Sequence, residues 1–525
     1  MHRRHLHQAA LALALQALAR PAFAQVVSAA PRWSSNPFAL GVASGMPRSD
    51  SVVLWTRLAA GFEAFSPASQ RETVKVRYEI YSDEALQKMV TSGDVVAQPA
   101  RAHSVHVQVR GLKPERFYWY RFTCGSAVSA VGRTRTAPAL TATPQRLRIA
   151  LASCQSYEQG FFAAHREISE QELDFVLFVG DYIYESNRSG KLPRQHSGPV
   201  PQTLDEYRQR HAQYKSDAQL QAAHAAHPWV LMWDDHEVVN DYATDRDQRY
   251  TEPAVFLQRR AAAYQAYIEH MPILLPGMGE ERWGPFDTVR IHDNFHWGQL
   301  AQLWTLDCRQ YRSHHACPDP YRAGGRIVLG CNELAQPERS MLGMEQERWL
   351  HAGLAQAAAQ PNAGWKLLAQ ATQISPSGVD TPLGRATYTD AWDGYPEARK
   401  RLLQTVADLS LKDVVTLGGD VHQNVAANLR LRPNDERSPI VATEFVGTSV
   451  TSRGMAESTL AQVRASNPDI AYARADERGY SLLTVTPQNM HCEFRTTPHP
   501  ATAQAKLGVQ ASFVVEKRQP GVQKG

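Results

Sequence analysis

The 525-residue sequence has little cysteine, little excess charge and no apolar run long enough to cross a membrane. Six cysteines in a chain of this length exclude a small disulfide-stapled scaffold. The 56 basic and 52 acidic residues nearly cancel, which removes any electrostatic argument for a stable complex with nucleic acid or an anionic membrane surface. No segment after residue 24 has the roughly 18 apolar residues that a membrane-spanning helix needs. The 43% hydrophobic and 21% charged residues are typical of a globular protein of two or three domains.

Residues 1–24 have the pattern of a signal peptide. A basic head with Arg3-Arg4 precedes an apolar stretch from Ala9 to Ala19, and Ala22-Phe23-Ala24 forms a small-x-small cleavage pattern. We therefore expect a periplasmic or secreted protein, in a compartment that tolerates disulfides. The adjacent arginines suggest the twin-arginine route, although such pairs also occur in other basic heads.

Residues 34–140 predict an all-β domain, because β-branched and aromatic residues dominate its apolar segments. The predicted strands are Ser51–Arg57, Val74–Ile80, Ser104–Val109 and Phe117–Phe122. Leu112-Lys113-Pro114 followed by Tyr118 resembles the tyrosine corner of immunoglobulin-like sandwiches, in which the phenol bonds back to upstream backbone. An ordinary β-meander is the alternative. A Thr/Ala/Pro-rich linker, Thr136–Pro144, ends the domain.

Residues 145–515 predict an α/β layered domain, because short apolar strands alternate there with helical stretches. The predicted strands are Leu147–Ala152, Phe175–Val179, Val230–Trp233, Leu303–Leu306, Trp365–Ala369, Val414–Leu417 and Ile440–Phe445. The predicted helices are Thr203–Ala226, Ala254–His270, Gly343–Ala359 and Glu397–Ser410. Residues 481–495 predict a late strand pair.

Unusual polar residues follow four of these predicted strands. They are Cys154, the segment Gly180-Asp181-Tyr182-Ile183-Tyr184-Glu185, the segment Asp234-Asp235-His236-Glu237, and the segment Gly418-Gly419-Asp420-Val421-His422-Gln423-Asn424. Ligands of open α/β sheets bind outside the carboxyl ends of strands, so the four segments together predict one site. Singly, each has an ordinary interpretation as a turn, a polar loop or, for Cys154, a small buried hydrophobe.

The order of these segments resembles the metallophosphoesterase superfamily, whose blocks run Asp-x-His, Gly-Asp-x-x-Asp, Gly-Asn-His-Glu and Gly-His-x-His. The departures here, among them Cys154 in the first block and Tyr184 at the end of the second, look like the alkaline phosphatase D family. Three further segments carry the same resemblance: Phe38–Arg57, Asp307–Arg312 and Glu444–Ser449. It implies a layered metallophosphoesterase-like β-sandwich flanked by helices, with an N-terminal immunoglobulin- or fibronectin-like domain.

The resemblance also implies a mixed iron–calcium centre. Fe³⁺ would be held by Cys154, Asp181, Tyr184 and His422. Ca²⁺ would share Asp181 and be bound further by Asp235 and Asp420. Thiolate and phenolate suit a trivalent iron, whereas carboxylate oxygens suit calcium. The remaining calcium ligands stay open among Asn240, Asp241, Glu444 and water.

The implied activity is that of an exported alkaline phosphatase that hydrolyses phosphate monoesters and diesters for phosphate scavenging, with water or oxide activated at the metals. His236 is the candidate general acid or phosphate donor, and its alternative role is to orient Asp235. Arg309 and Arg312 could bind substrate phosphate bidentately, or could form surface salt bridges instead.

Two other functions stay open at this stage. One is a phospholipase D-like phosphodiesterase on the same scaffold, with phospholipid or nucleotide substrates. The other is a metal-stabilised, non-catalytic binding protein of the cell envelope.

The cysteines divide into two groups. Cys317 and Cys331 flank a Pro/Gly-rich segment outside the predicted strands, and we predict a disulfide between them. Cys154 is interpreted as a metal ligand rather than a nucleophile or a core residue, because it ends the first strand of the α/β domain, where the superfamily that the chain resembles places a metal-binding block. The role of Cys308 stays open, and nothing in the sequence pairs Cys124 with Cys492.

Overall fold

The computed structural model describes residues 33, 35–59, 73–278, 283–360 and 364–525. The predicted signal peptide, residues 1–24, lies outside these residues. Within the described part of the chain, no helix is both long and apolar enough to cross a membrane.

The largest sheet has ten strands, with the parallel strands of the α/β region near its middle. In hydrogen-bonded order they are β25 Gln519–Lys524, β24 Gly508–Glu516, β23 Asn489–Thr497, β22 Arg478–Val485, β9 Leu147–Ala152, β10 Phe175–Val179, β11 Pro228–Met232, β1 Val42–Gly45, β2 Ser51–Arg57 and β5 Ser104–Arg110. The predicted late strand pair is confirmed as β22 and β23, and β24 and β25 continue it.

A second sheet of seven strands packs face to face on the first. Its strands, in order, are β12 Asp293–Trp297, β13 Ala301–Thr305, β15 Trp365–Ala369, β18 Val414–Gly418, β20 Ile440–Val446, β19 Asn424–Arg430 and β21 Ile470–Arg474. The shared core contains Leu151 and Leu177 from one sheet and Leu367 and Leu417 from the other. This arrangement confirms the predicted layered β-sandwich.

Seven α-helices among the described residues cover the outer faces of the sandwich or join its strands. They are α1 Ala163–Glu170, α2 Leu204–Lys215, α3 Ala218–Ala226, α4 Pro253–His270, α5 Met344–Ala358, α6 Pro396–Asp408 and α7 Glu457–Ala465. The single helix predicted over Thr203–Ala226 is wrong, because the chain breaks it at Ser216 and Asp217. The Asp217 side chain accepts hydrogen bonds from the backbone of Gln219 and Leu220 and so caps a new helix.

The N-terminal β-region is a sandwich, as predicted. One layer is the sheet of β3 Val74–Tyr81, β4 Met89–Ala97, β6 Phe117–Cys124, β7 Ala127–Val128 and β8 Gly132–Arg135, and it shares a core with β1, β2 and β5. The tyrosine corner is confirmed, since the Lys113 backbone N–H donates to the Tyr118 hydroxyl at 2.9 Å.

The second layer of this sandwich is not separate from the α/β region. β1 pairs in parallel with β11 in the register Ser44 to Pro228, so β1, β2 and β5 extend the ten-stranded sheet. The predicted boundary between residues 34–140 and 145–515 therefore lies between segments that share one sheet.

A small third sheet lies near the candidate site. It consists of β14 Ile327–Val328, β17 Gly384–Tyr388 and β16 Val379–Thr381, in that order. The predicted disulfide between Cys317 and Cys331 is confirmed, and its loop carries β14.

Candidate metal centre

The predicted ligands lie in turns that follow the central strands, and their backbone is unusual. Cys154, Asp181, Asp420 and His422 all have positive φ angles, between 54° and 62°. A non-glycine residue in this region costs of order 1–3 kcal/mol and persists only where its surroundings enforce it. These turns hold each other, since the Cys154 backbone N–H donates to the carbonyl of Gly180 at 3.1 Å. The strained backbone aims these side chains at one place.

Four predicted iron ligands converge there. Cys154, Asp181 and His422 each place one potential ligand atom so that all three atoms lie within 4.8 Å of one another. The Tyr184 hydroxyl lies 2.9 Å from Asp181 Oδ2 and 3.2 Å from His422 Nε2. His422 Nδ1 lies 2.9 Å from the backbone oxygen of Arg453, an arrangement that leaves Nε2 facing the cluster.

Asp181 also belongs to two neighbouring acidic groups. Its carboxylate lies within 4.8 Å of potential ligand atoms of Asp235 and His236, and of those of Asp234 and Asp420. Asp181 is therefore placed to share its carboxylate between two cations.

A further acidic group adjoins this one through Asp235. Asp235, Asp241 and Asp390 place carboxylate oxygens within 4.8 Å of one another, and all three residues are buried. Asp235 Oδ1 is buried without a hydrogen-bond partner in the described part of the chain. Since buried carboxylate oxygens are normally satisfied, this atom is positioned for a cation.

Without a cation, the protein disfavours the charged form of several of these groups. Burial raises the pKa of the Cys154 thiol and of the Tyr184 phenol well above their usual values, and the charge of Asp181 raises both further. Burial likewise raises the pKa of Asp181 and of Asp420. A cluster of this kind binds multivalent cations in its ionised form, because their charge reverses the local electrostatics.

His236 lies at the edge of the cluster, with its side chain 13% exposed. Its Nδ1 is 2.6 Å from Glu185 Oε2, and its ring packs on Tyr184 with centroids 4.1 Å apart. Burial opposes protonation, but Glu185 and Asp235 outweigh it and hold the pKa of His236 well above its usual value. Nε2 makes no hydrogen bond to any described residue, so it is free to meet a ligand.

Comparisons with known proteins show the family to which this chain belongs. A family profile described as PhoD-like phosphatase matches residues 149–494, and one described as its N-terminal domain matches residues 24–138. The chain belongs to the PhoD-like phosphatase family. As a PhoD-like phosphatase it is a phosphoric ester hydrolase, which confirms the enzyme class predicted from the sequence.

Two relatives support the family assignment over nearly the whole PhoD-like chain. It is 41% identical to alkaline phosphatase D of Bacillus subtilis (strain 168) over 507 residues, which span 95% of this chain and 84% of the relative. A solved structure of PhoD superposes with a TM-score of 0.86 at 39% identity, covering 94% of this chain and 93% of that one. The fold prediction is confirmed by this match.

The two predicted phosphate-binding arginines of the PhoD-like chain are instead buried in ion pairs. Arg309, 1% exposed, donates to both oxygens of Asp234 and to both oxygens of Asp390, at 2.6–3.2 Å. Arg312 donates to Asp390 and to the Tyr395 hydroxyl. Both arginines are buried, so the alternative of surface salt bridges does not fit this geometry, whereas substrate contact stays a prediction.

Two residues of the site had no individual role assigned from the sequence. Glu237 accepts hydrogen bonds from the backbone of Asp181, Tyr182 and Asp234, and so ties two ligand turns together. Asp390 follows β17, far from the other motifs, and only its acidic side chain beside aromatic residues hints at a role.

The three residues left open as calcium ligands have different surroundings. Asp241 lies in the acidic group with Asp235, whereas the Glu444 carboxylate accepts hydrogen bonds from the backbone of Ile374 and Ser375. Asn240 donates its backbone N–H to Glu185 Oε1. Of the three, Asp241 alone places a carboxylate in the centre. Cys308, whose role the sequence left open, is buried in the apolar core with Leu306 and Met341.

Proposed function

We propose that this PhoD-like phosphatase uses an iron–calcium centre to hydrolyse phosphate monoesters and diesters. The observation that carries the proposal is the convergence of a thiol, a phenol and an imidazole, from Cys154, Tyr184 and His422, on the carboxylate of Asp181. In their ionised forms the thiolate, phenolate and carboxylate are anionic donors that together suit a trivalent iron, and the sulfur donor does not suit magnesium.

The donor set fits the two cations separately. The residues that would hold Fe³⁺ are Cys154, Asp181, Tyr184 and His422. Ca²⁺ prefers oxygen ligands, and the carboxylates that would supply them are Asp181, Asp235 and Asp420. The partnerless Asp235 Oδ1 supports this assignment. When bound, the cations supply Lewis acidity that polarises phosphate oxygens and makes water more acidic.

The protein residues place and move the proton. In the hydrolysis, a new bond forms between phosphorus and a water oxygen, and the bond between phosphorus and the ester oxygen breaks. His236, held by Glu185 with Nε2 free, donates a proton to the departing ester oxygen. The charge of Glu185 favours the protonated imidazole that this step requires. Arg309 fixes Asp234 and Asp390 and is therefore a positioning residue.

The biological setting follows from the predicted signal peptide and the disulfide. Structural disulfides form and persist in oxidising compartments, so the Cys317–Cys331 bond supports export to the periplasm or secretion. In that location a phosphatase releases phosphate from esters that the cell cannot take up intact. Phosphate scavenging is therefore the role that we propose.

Metal analysis combined with a rate measurement tests the proposal. Purified protein should contain iron and calcium and should hydrolyse 4-nitrophenyl phosphate. Comparing that rate with the rate on bis(4-nitrophenyl) phosphate measures the preference between monoesters and diesters. Full activity with zinc and without iron would contradict the metal assignment, and an inactive protein with both metals bound would contradict the catalytic one. His236→Asn, which keeps a polar side chain but removes the proton donor, should lower the rate about 100-fold or more while both metals stay bound.

A further inference from the structure

Tyr388 lies at the end of β17, opposite Ile327 of β14, in the small sheet beside the acidic groups. The next residue fixes this position, since the Thr389 backbone N–H donates to the carbonyl of Arg326 and its hydroxyl accepts from the Arg326 N–H, both at 3.0 Å. Tyr388 is 40% exposed. Its hydroxyl makes no hydrogen bond within the part of the chain that the structure describes.

The Tyr388 hydroxyl faces the acidic groups. A Cβ atom placed on Gly325 would lie 2.7 Å from this hydroxyl and 2.6 Å from Cβ of Asp390. The Gly325 backbone N–H in turn donates to Asp241 Oδ2 at 3.0 Å. The phenol, Asp390 and Asp241 therefore meet around one glycine, whose missing side chain allows the close approach.

The electrostatics agree with this placement. Burial raises the pKa of Tyr388 above its usual value, and the charges of Asp241, Asp390 and Asp420 raise it further. A phenol keeps its proton at neutral pH even with its ordinary pKa of about 10. A neutral donor can approach an anion in the site without competing for the cations.

We propose that Tyr388 is a catalytic residue that donates its O–H to a phosphoryl oxygen of the bound phosphate ester. This inference rests on the proposed function, because the phosphate would be repelled by the carboxylates unless cations neutralised them. The exposed part of the ring opens to solvent, whereas the hydroxyl lies on the side of the acidic groups. The Tyr388 hydroxyl has no hydrogen-bond partner among the described residues, so an oxygen of a bound ligand would accept its hydrogen bond.

Tyr388→Phe tests the role, because it removes only the hydroxyl. We expect kcat/KM for 4-nitrophenyl phosphate to fall about 10- to 100-fold, the loss of one hydrogen bond to a charged group. The dissociation constant of inorganic phosphate, measured by calorimetry, should rise about tenfold. Iron and calcium contents should stay unchanged. The matched control is Tyr321→Phe on the disulfide loop, since Tyr321 is 91% exposed and its loss should change none of these values.

Two results would overturn the inference. One is a Tyr388→Phe enzyme with wild-type kcat/KM and wild-type phosphate affinity. The other is a loss of calcium in parallel with activity, which would make the phenol a support of the metal centre. Failure of the proposed function is distinct, because then the wild-type enzyme with both metals would not hydrolyse the ester. The phosphate-binding comparison would still decide the role of Tyr388.

Discussion

The Tyr184 hydroxyl donates a hydrogen bond to Asp181 Oδ2 across 2.9 Å, and both side chains are buried. The same hydroxyl accepts from Ser452 Oγ at 2.7 Å and lies 3.2 Å from His422 Nε2. A phenol with three polar neighbours in a buried site is held in one orientation, ready to exchange its proton for a cation.

Replacing Tyr184 by Phe should bleach the enzyme. A tyrosinate bound to ferric iron gives a visible charge-transfer band, so the wild-type protein is expected to be coloured. Absorption spectroscopy of the two purified proteins measures the change, with circular dichroism to show that the fold is retained. The control is Tyr182→Phe, since the Tyr182 hydroxyl contacts His224 at 2.7 Å instead of the cluster. A Tyr184→Phe enzyme of unchanged colour would exclude this residue as an iron ligand.

Replacing Cys154 by Ala should remove iron and most of the activity. The thiol lies close to the potential ligand atoms of Asp181 and His422. Cys492→Ala is the matched control, because Cys492 is fully buried in the sandwich core and should lose only stability. Elemental analysis and circular dichroism distinguish the two variants. Iron retained at wild-type level in Cys154→Ala would refute the predicted ligand set at its first member.

Replacing Arg309 by Ala should destabilise the protein by about 3–5 kcal/mol, because it leaves the buried carboxylates of Asp234 and Asp390 without their partner. Urea unfolding followed by tryptophan fluorescence measures the loss. Arg432→Ala breaks an exposed ion pair with Asp435 and should cost less than about 1 kcal/mol. Similar unfolding midpoints for the two variants would contradict the structural role assigned to Arg309.

Replacing Cys317 and Cys331 together by Ser should lower stability by about 3 kcal/mol, because the disulfide restricts the unfolded chain. The bond closes a loop with a sequence separation of 14. Mass spectrometry of the unreduced wild-type protein should find neither cysteine alkylated. Alkylation of both without reduction would show that the bond does not form.

Replacing Lys215 by Met should stabilise the protein near pH 7. Lys215 is 1% exposed, its Nζ lies over the Trp55 ring, and burial lowers its pKa well below the usual 10.5. Between that lowered pKa and 10.5 the unfolded chain binds more protons, so wild-type stability rises with pH in this window. The variant should show a higher melting temperature at pH 7. Its stability should also rise less with pH than that of the wild type, because the Lys215 contribution is absent. Parallel pH profiles of wild type and variant would contradict the assignment.

The sequence predicted strands better than it predicted their partners. Strands such as Phe175–Val179 and Trp365–Ala369 match the structure at both ends, because continuous apolar runs between polar turns leave little choice of boundary. The pairing of β1 with β11 left no such signal, since it depends on contacts between distant segments. The helix predicted over Thr203–Ala226 failed because Ser216 and Asp217 have the polarity of an exposed helix face as well as of a cap.

The candidate site shows the same division. Cys154, Asp181 and His422 could be predicted because each lies in a short segment that follows a strand and resembles a block of the alkaline phosphatase D family. The environment of Arg309 could not, because its partners Asp234 and Asp390 lie 75 and 81 residues away along the chain. Ion pairing between such distant segments has no local pattern, so the arginine was interpreted by its chemistry alone.

The extension of the ten-stranded sheet by β1, β2 and β5 sets an order of events during synthesis. Strand β11 consists of five buried residues and, without β1, would present a bare apolar edge. Within the same sheet, β9 pairs with β10 on one side and with β22 on the other, and β22 comes much later in the sequence. Strand β1 is therefore synthesised before its partner β11, and β9 is synthesised before its partner β22. The native ten-stranded sheet can therefore close only after β22 has been synthesised.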